Sequence, residues 1–441
     1  MPSISASSGV LSFEDARRTV EDHASRLHPR GKELVELLEG LGQALAEPVL
    51  ADRDFPPFPR ATRDGYAVRA ADLATLPATL VVIGEIKAGA AALGRKLEPG
   101  QAASIMTGAP APPGADAVVM VEYTTETGDR VEITKGIAAG DNIVPTGSEA
   151  KRGERLLSPG MRLDHAAIAV AASVGKSHLL LYSKPKVAVL STGDELVDID
   201  APVARNHIRN SNSYSLAAQI QAAGGEPVLL PIAPDEPARL HELIADGLEA
   251  DLLLLTGGVS MGKYDLVEQV LADFEAEFFF TGAQIQPGRP IVFGRIPCGA
   301  GAPAREVEGR GFSRTDKIAQ ESGASAPEDH TYFFGLPGNP VSTMVTFELF
   351  VRPFLEALAG MAAHKLVFLH AKLKSEIKVK PGLKRFLPAV LAGEFEQSEV
   401  ELIPWQGSGD IAAAARANCY IVIPPDRERI EAGEWVAVLA R

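Results

Sequence analysis

Three apolar runs in the middle of the chain each stop at a turn of small residues, and a stretch with helical spacing follows each turn. They are "KVAVLSTGDE" from Lys186, "DLLLLTGG" from Asp251 and "YFFGLPGNP" from Tyr332. An unbroken apolar strand must be covered on both faces, and parallel strands need a crossover, normally a helix. With "SLAAQIQAAG", "ARLHELIADGL" and "DLVEQVLADF" between the runs, the region from Lys186 to about Gly360 is predicted to form βα units on a mainly parallel sheet. Ligands of such sheets bind beyond the strand C-terminal ends.

The flanking regions read differently. At 441 residues the chain exceeds what one core usually holds, so several modules are expected. "SFEDARRTVEDHASRL" opens with a capping Ser12 and an acidic first turn, and "KELVELLEGLGQAL" from Lys32 has apolar residues at helical spacing; both predict helices. The prolines of "DRDFPPFPRATRDGYAVRA" then impose a loop. From about Leu76 to Gly140, runs such as "TLVVIGEI" and "AVVMVEY" predict a small, mostly β module. Helical spacing returns in "ERLLSPGMRLDHAAIAVAASVG", and short strands with turns follow from about His364. The polar, Gly- and Ala-rich segment from Cys298 to His330 reads as a surface insertion.

Composition removes several classes of function. A net charge of −14 argues against a general nucleic-acid binder, which needs clustered Lys and Arg. No 18-residue uncharged apolar segment predicts a membrane span, and no leader pattern is present, so a cytoplasmic protein is expected. Two distant cysteines, Cys298 and Cys419, read as ordinary thiols. The nine histidines contain no H-x-x-x-H pair, which leaves Mg²⁺ on carboxylates as the expected metal chemistry.

The strand-end turns carry the chemistry. "TGGVSMGKYD", Thr256 to Asp265, reads G-x-x-x-x-G-K from Gly257, but Tyr264 stands where a Walker loop needs Ser or Thr to reach Mg²⁺. "STGDE" sets Ser191, Thr192 and Gly193 at a strand end with Asp194 and Glu195 after them, and "GLPGNPVS" supplies Gly338 and Asn339 before Pro340 at a first helical position. One such turn can be only a tight connection, and "GDE" can be only a helix cap. Three in successive units point to a ligand with phosphate groups, bound by backbone N–H groups. Asp64, Glu195, Asp235 and Asp265 lie in loop-like contexts, either as solvated surface carboxylates or as acids that hold Mg²⁺ near that ligand; for Asp235, in "APDEPARL", an N-cap role competes with a catalytic one. Thr107 and Gly108 form a turn ahead of a proline cluster.

Together, "DGYAV" at Asp64, "IMTGAPAPPGADAVV" at Ile105, "STGDEL" at Ser191, "TGGVSMGKYD" at Thr256, "PGRP" at Pro287 and "GLPGNPVS" at Gly335 resemble the MoeA family of molybdopterin molybdenumtransferases, which includes the gephyrin E domain. The strings run in the family order over nearly the whole chain. The resemblance implies a multidomain α/β plus β protein: a discontinuous helical linker over 12–55 and 141–183, a β-rich insert over 56–140, a parallel-sheet molybdopterin-binding α/β domain over 184–363 and a C-terminal β module over 364–441. It also implies a homodimer, with Asp64 and Thr107 facing Glu195, Asp235 and Asp265 across two subunits, and a molybdopterin adenylyltransferase and apo-molybdoenzymes as further partners.

The family reaction inserts molybdate into adenylylated molybdopterin with release of AMP and depends on Mg²⁺. Carried onto this chain, it makes Asp64, Glu195, Asp235 and Asp265 catalytic, the last three as metal ligands. Substrate would be held by Thr107, Gly108, Ser191, Thr192, Gly193, Asp194, Gly257, Gly258, Ser260, Gly262, Lys263, Pro287, Gly288, Arg289, Pro337, Gly338, Asn339, Pro340 and Ser408. Some positions depart from the pattern. Gln286 and Arg289 replace two lysines of K-P-G-K-P, Leu383 and Pro388 stand at two usual arginine positions, Glu149 replaces an aspartate, and Arg60 and Arg63 replace an Asn and a Met. These changes keep open a paralogue acting on tungstate and a non-catalytic pterin-binding scaffold.

Overall fold

A computed structural model describes residues 9–90, 94–258, 266–298, 330–363, 365–394 and 397–441. These gather into two compact units, a larger one made of the chain up to Ala46, Pro159–Asp164 and His178–Arg441, and a smaller one made of Glu47–Ser158 and His165–Ser177. Among the described residues no helix is long and apolar enough to cross a membrane.

The first helix of the larger unit is α1 (Phe13–Ala24), capped as its sequence predicts: Ser12 Oγ accepts from the Asp15 N–H, and Glu14 and Asp15 lie in the first turn. Phe13, Ala16 and Val20 are buried, which is the three-to-four-residue spacing of one helix face. The helix expected over "KELVELLEGLGQAL" does not form. Lys32–Glu36 is instead a strand paired antiparallel with His178–Tyr182, and turns follow it. Leu34, Leu38 and Leu41 are 70%, 69% and 59% exposed, so their helical spacing marks no buried face. The partner strand, with Leu179 and Leu181 buried, overrides local propensity.

The smaller unit is built on six strands: β1 (Gly65–Val68), β2 (Ala78–Ile86), β3 (Gln101–Ile105), β4 (Ala117–Met120), β5 (Thr124–Thr127) and β6 (Arg130–Ile133), in the order β4-β1-β3-β2-β6-β5. All neighbours are antiparallel except β2 and β3. Among the described residues this unit has one α-helix, α2 (His165–Ser173), beside two short 3₁₀ turns at Ala70–Leu73 and Val121–Tyr123.

The predicted parallel sheet is the centre of the larger unit. Its elements are β7 (Lys186–Ser191), α3 (Asn212–Ala222), β8 (Glu226–Leu229), α4 (Pro237–Gly247), β9 (Leu252–Thr256), α5 (Leu266–Asp273), β10 (Glu277–Phe280), β11 (Val292–Pro297), β12 (His330–Leu336), α6 (Pro340–Thr346) and α7 (Arg352–Leu358). A π turn, Phe347–Val351, joins the last two helices. The strand order is β8-β7-β9-β12-β11-β10, with parallel pairings among the first four strands and antiparallel pairings from β12 outward. Val187, Val189, Leu252 and Leu254 pack with α1, α3 and the helices after β12. Ala188, Leu190, Leu253 and Leu255 pack with α4 and α5. Alternate residues thus enter two different cores, which explains why these strands read as continuous apolar runs.

The C-terminal module comprises β13 (Phe368–Leu373), β14 (Lys384–Ala392), β15 (Glu399–Leu402), α8 (Ile411–Arg416), β16 (Cys419–Ile423) and β17 (Trp435–Ala440). Its strands close as β14-β15-β13-β17-β16 and back to β14, giving a five-stranded barrel. Beyond the ring, Lys384 and Arg385 of β14 pair with the short strand Ile285–Gln286. Both cysteines stay as thiols, and Cys419 is buried.

His23 fastens the end of α1 to the sheet. Its ring stacks on Phe279 at 4.0 Å between centroids, and Nδ1 lies 3.1 Å from the Tyr332 hydroxyl. Burial, then the charges of Arg26 and Arg295, hold its pKa below the usual value, against weaker opposition from Glu277 and Asp22. The unfolded chain therefore binds this proton more readily, and the contribution of His23 is complete above about pH 6.5 and is lost as pH falls below that value. The thermal midpoint of the protein should fall over that acid range, and in His23→Phe that part of the fall should be absent.

Candidate functional site

The strand order creates a switch point. From β7 the chain goes to β8 on one side and then crosses to β9 on the other, so the crevice of this sheet lies at the C-terminal ends of β7 and β9. Register sets those ends level: Ser191 is paired with Thr256, and Thr256 with Leu336. Three turns therefore leave the sheet side by side.

Their backbones interlock. The Thr192 N–H donates to the Thr256 carbonyl at 3.0 Å and the Gly193 N–H to the Ala233 carbonyl at 3.2 Å. Gly257 has φ +88°, and a Cβ there would lie 2.4 Å from the Thr192 carbonyl oxygen. A Cβ on Gly338 would lie 3.4 Å from the Gly257 Cα, an ordinary contact. The Val341 N–H, at the start of α6, donates to the Ser408 carbonyl at 3.0 Å, which brings Ser408 of the C-terminal region to the "PGNP" turn. Asn339 is the cap residue and Pro340 the first residue of α6.

A second set of residues, absent from the motifs, holds these turns. Ser191 Oγ lies 2.8 Å from Ser213 Oγ and donates to Asn210 Oδ1 at 3.2 Å, and the Ser213 N–H donates to the same oxygen. Asn212 Nδ2 donates to Thr256 Oγ1 at 3.0 Å and to the Gly338 carbonyl at 2.8 Å. Thr256 Oγ1 in turn donates to the Pro337 carbonyl at 3.2 Å, which Thr343 Oγ1 also reaches. The signal in the sequence is "NSNS" directly before a helical pattern, four residues of the types that cap helices and satisfy turns.

The acids stand above this buried layer. Asp194, Glu195 and Asp235 are exposed, whereas Ser191, Thr192 and Thr256 are buried. Asp194 Oδ1 accepts from the Asp235 N–H at 3.0 Å. Partial desolvation, then the Asp194 and Glu195 charges, raise the Asp235 carboxyl above its ordinary range. Glu236 occupies the cap position of α4, so Asp235 is not its N-cap. No helix follows "STGDE" either: Leu196–Val197 is a short strand paired with Ile208–Arg209, so these acids cap nothing.

Gln286, Pro287, Gly288 and Arg289 lie beside the barrel. The Gln286–Pro287 bond is cis, and Gly288 packs so tightly on Thr346 that a Cβ would lie 2.4 Å from its methyl carbon. The register partner of Gln286 is Arg385, which donates to the Lys380 carbonyl at 2.6 Å. Lys384 is paired with Glu14 and lies 4.7 Å from the Phe13 ring centroid. Pro388 is buried in β14, paired with Tyr420.

In the smaller unit, Asp64 and Thr107 meet: Asp64 Oδ1 accepts from the Thr107 N–H at 2.6 Å and the Thr107 hydroxyl at 2.9 Å, which hold its carboxyl below the ordinary range. The Gly108 N–H donates to the Ala61 carbonyl at 2.8 Å. Arg60, one of the two arginines ahead of Asp64, forms an ion pair with Glu149 at 2.8 Å, so its charge is locally neutralised. Ser260, Gly262, Lys263 and Asp265 lie outside the described residues. Among the described residues no three His, Cys, Asp or Glu side chains converge as a metal-binding group.

Three family descriptions match successive parts of the chain: the MoeA N-terminal region (domain I and II) at residues 11–175, a probable molybdopterin binding domain at 188–357, and the MoeA C-terminal region (domain IV) at 370–440. The chain is 33% identical over 418 residues to a molybdopterin molybdenumtransferase of Nostoc, covering 92% of this chain and 88% of that one. It is 30% identical over 434 residues to the Haemophilus influenzae protein of the same name, covering 97% and 98%. The fold is similar to a crystal structure of the molybdopterin biosynthesis MoeA protein from Pyrococcus horikoshii, with TM-score 0.71, 27% identity, and 98% and 100% of the two chains covered.

The two glycines separate backbone need from space. Gly257→Ala should cost about 3 kcal/mol, because its φ is unfavourable and the opposing atom is backbone. Gly338→Ala should cost less than about 1 kcal/mol. Urea unfolding of both variants measures the difference.

Proposed function

We propose, on the premise that the chain belongs to the MoeA family, that the crevice at β7, β9 and β12 is the seat of its molybdopterin substrate. The chain is a molybdopterin molybdenumtransferase of molybdenum cofactor biosynthesis, as are the curated relatives that span nearly its whole length. The observation that carries the placement is the level meeting of three glycine-bearing turns at a topological switch point. On this reading the substrate is adenylylated molybdopterin, molybdate is the second substrate, and AMP is released.

The turns at 191–193, 256–258 and 337–340 hold the pterin phosphates through backbone N–H groups and the start of α6. Arg289 takes the oxyanion. Gln286 brings no charge, and Arg385, its register partner on β14, is assigned the missing cation's role. Asp64, fixed by Thr107, is read as a catalytic carboxylate.

The carboxylates of Glu195 and Asp235, together with Asp265, suit Mg²⁺, a hard cation that takes oxygen ligands. The raised Asp235 carboxyl fits such an ion, since a cation would relieve the repulsion from Asp194 and Glu195. When bound, Mg²⁺ supplies Lewis-acid polarisation of phosphoryl oxygens. Leu34, Leu38 and Leu41, exposed in the larger unit, support a homodimer that covers them. A cytoplasmic setting agrees with two cysteines kept as thiols, and the adenylyltransferase and apo-molybdoenzymes remain the proposed further partners.

The assay is AMP release from adenylylated molybdopterin with Mg²⁺, with and without molybdate. Release should depend on molybdate, Asp235→Asn should lower kcat about 100-fold, and Arg289→Ala should raise the molybdate KM about tenfold. Release that ignores molybdate, or none from the wild type, would reject the reading. Light scattering of the purified protein should give twice the mass of one chain; a monomer would remove the dimer from it.

A further inference from the structure

We infer that Asn212 is a positioning residue for the substrate, setting the distance between the turn after β9 and the turn after β12. The inference rests on the proposed function, since it assigns those turns to one ligand. Asn212 begins α3 and takes no part in the motif strings that mark the family. Its amide orientation is fixed by chemistry: the Gly338 carbonyl only accepts, so the group 2.8 Å from it must be Nδ2 and not Oδ1. The same Nδ2 donates to Thr256 Oγ1, and Thr256 passes the connection to the Pro337 carbonyl. One side chain from a third element therefore ties the two turns together.

The bonds of this amide serve nothing else. Among the described residues its buried Oδ1 has no hydrogen-bond partner, so there the side chain is held by the two turns. A need to satisfy the Gly338 carbonyl does not explain it, because Gly338 is exposed and water can reach that residue. A tie of fixed length between two backbone turns instead controls whether they can grip one ligand at once. A tie that holds the binding groups in place before the ligand arrives reduces the ordering cost of binding, so its loss weakens affinity.

The test compares wild type, Asn212→Ala and Asn212→Asp. In each, kcat and KM for adenylylated molybdopterin are measured at saturating molybdate, the dissociation constant is measured by calorimetry without molybdate, and the thermal midpoint is recorded. Asn212→Ala should raise KM and the dissociation constant about tenfold and change kcat less than about threefold. Asn212→Asp, whose carboxylate would face the Gly338 carbonyl, should raise both further. Unchanged KM and affinity in a folded Asn212→Ala, or a fall in kcat alone, overturns the inference and leaves the function standing. A lowered midpoint with unaltered affinity shows a purely structural tie and also overturns it. Failure of the wild type to bind adenylylated molybdopterin removes the functional reading, and with it this role for Asn212.

Discussion

The parallel hydrogen-bond ladder that aligns Ser191, Thr256 and Leu336 is the constraint on which the larger unit depends. Ladder register admits only whole-residue steps, and a slip by one would send every side chain of a strand to the opposite face. Both faces of β7 and β9 are buried in separate cores, so such a slip would disturb two sets of packed contacts at once. The level ends of the three turns are therefore a by-product of core packing. The sheet thus sets the level of the three turns and leaves their spacing to side chains such as Asn212.

What the sequence made legible follows the same division. The βα region was readable because unbroken apolar runs have few alternatives to doubly covered strands. The stretch from Lys32 to Leu45 was not, because leucines at three- and four-residue steps read as a helix unless the pairing partner is known. That partner, His178–Tyr182, lies far along the chain and joins Lys32–Glu36 only in the fold. In the site, Gly257 could be named from the sequence, since its conformation belongs to the turn itself. Asn212 could not: its role comes from bonds to Thr256 and Gly338, which are distant in sequence and meet only in the fold. Asp235 was ambiguous for a local reason, because an acid just ahead of Pro237 suits a cap, and only the structure gives that place to Glu236.

The departures from the family pattern acquire a physical context. Gln286 is paired in register with Arg385, whose guanidinium donates to the Lys380 carbonyl. Arg60 lies against Glu149, so its added charge is balanced where it stands. Pro388 cannot act as an oxyanion-binding arginine would, since it is buried among the barrel strands.

The short strand Ile285–Gln286 joins the overhang of β14 outside the closed barrel. A closed barrel has no sheet edge left to protect. This one extends a handle to the segment that carries Pro287, Gly288 and Arg289. Mutations accumulating in the barrel can thus shift Pro287, Gly288 and Arg289 while the ladder of the parallel sheet keeps its own register. On the proposed function, selection on which oxyanion is inserted would have a route of its own, separate from selection on the organic half of the substrate.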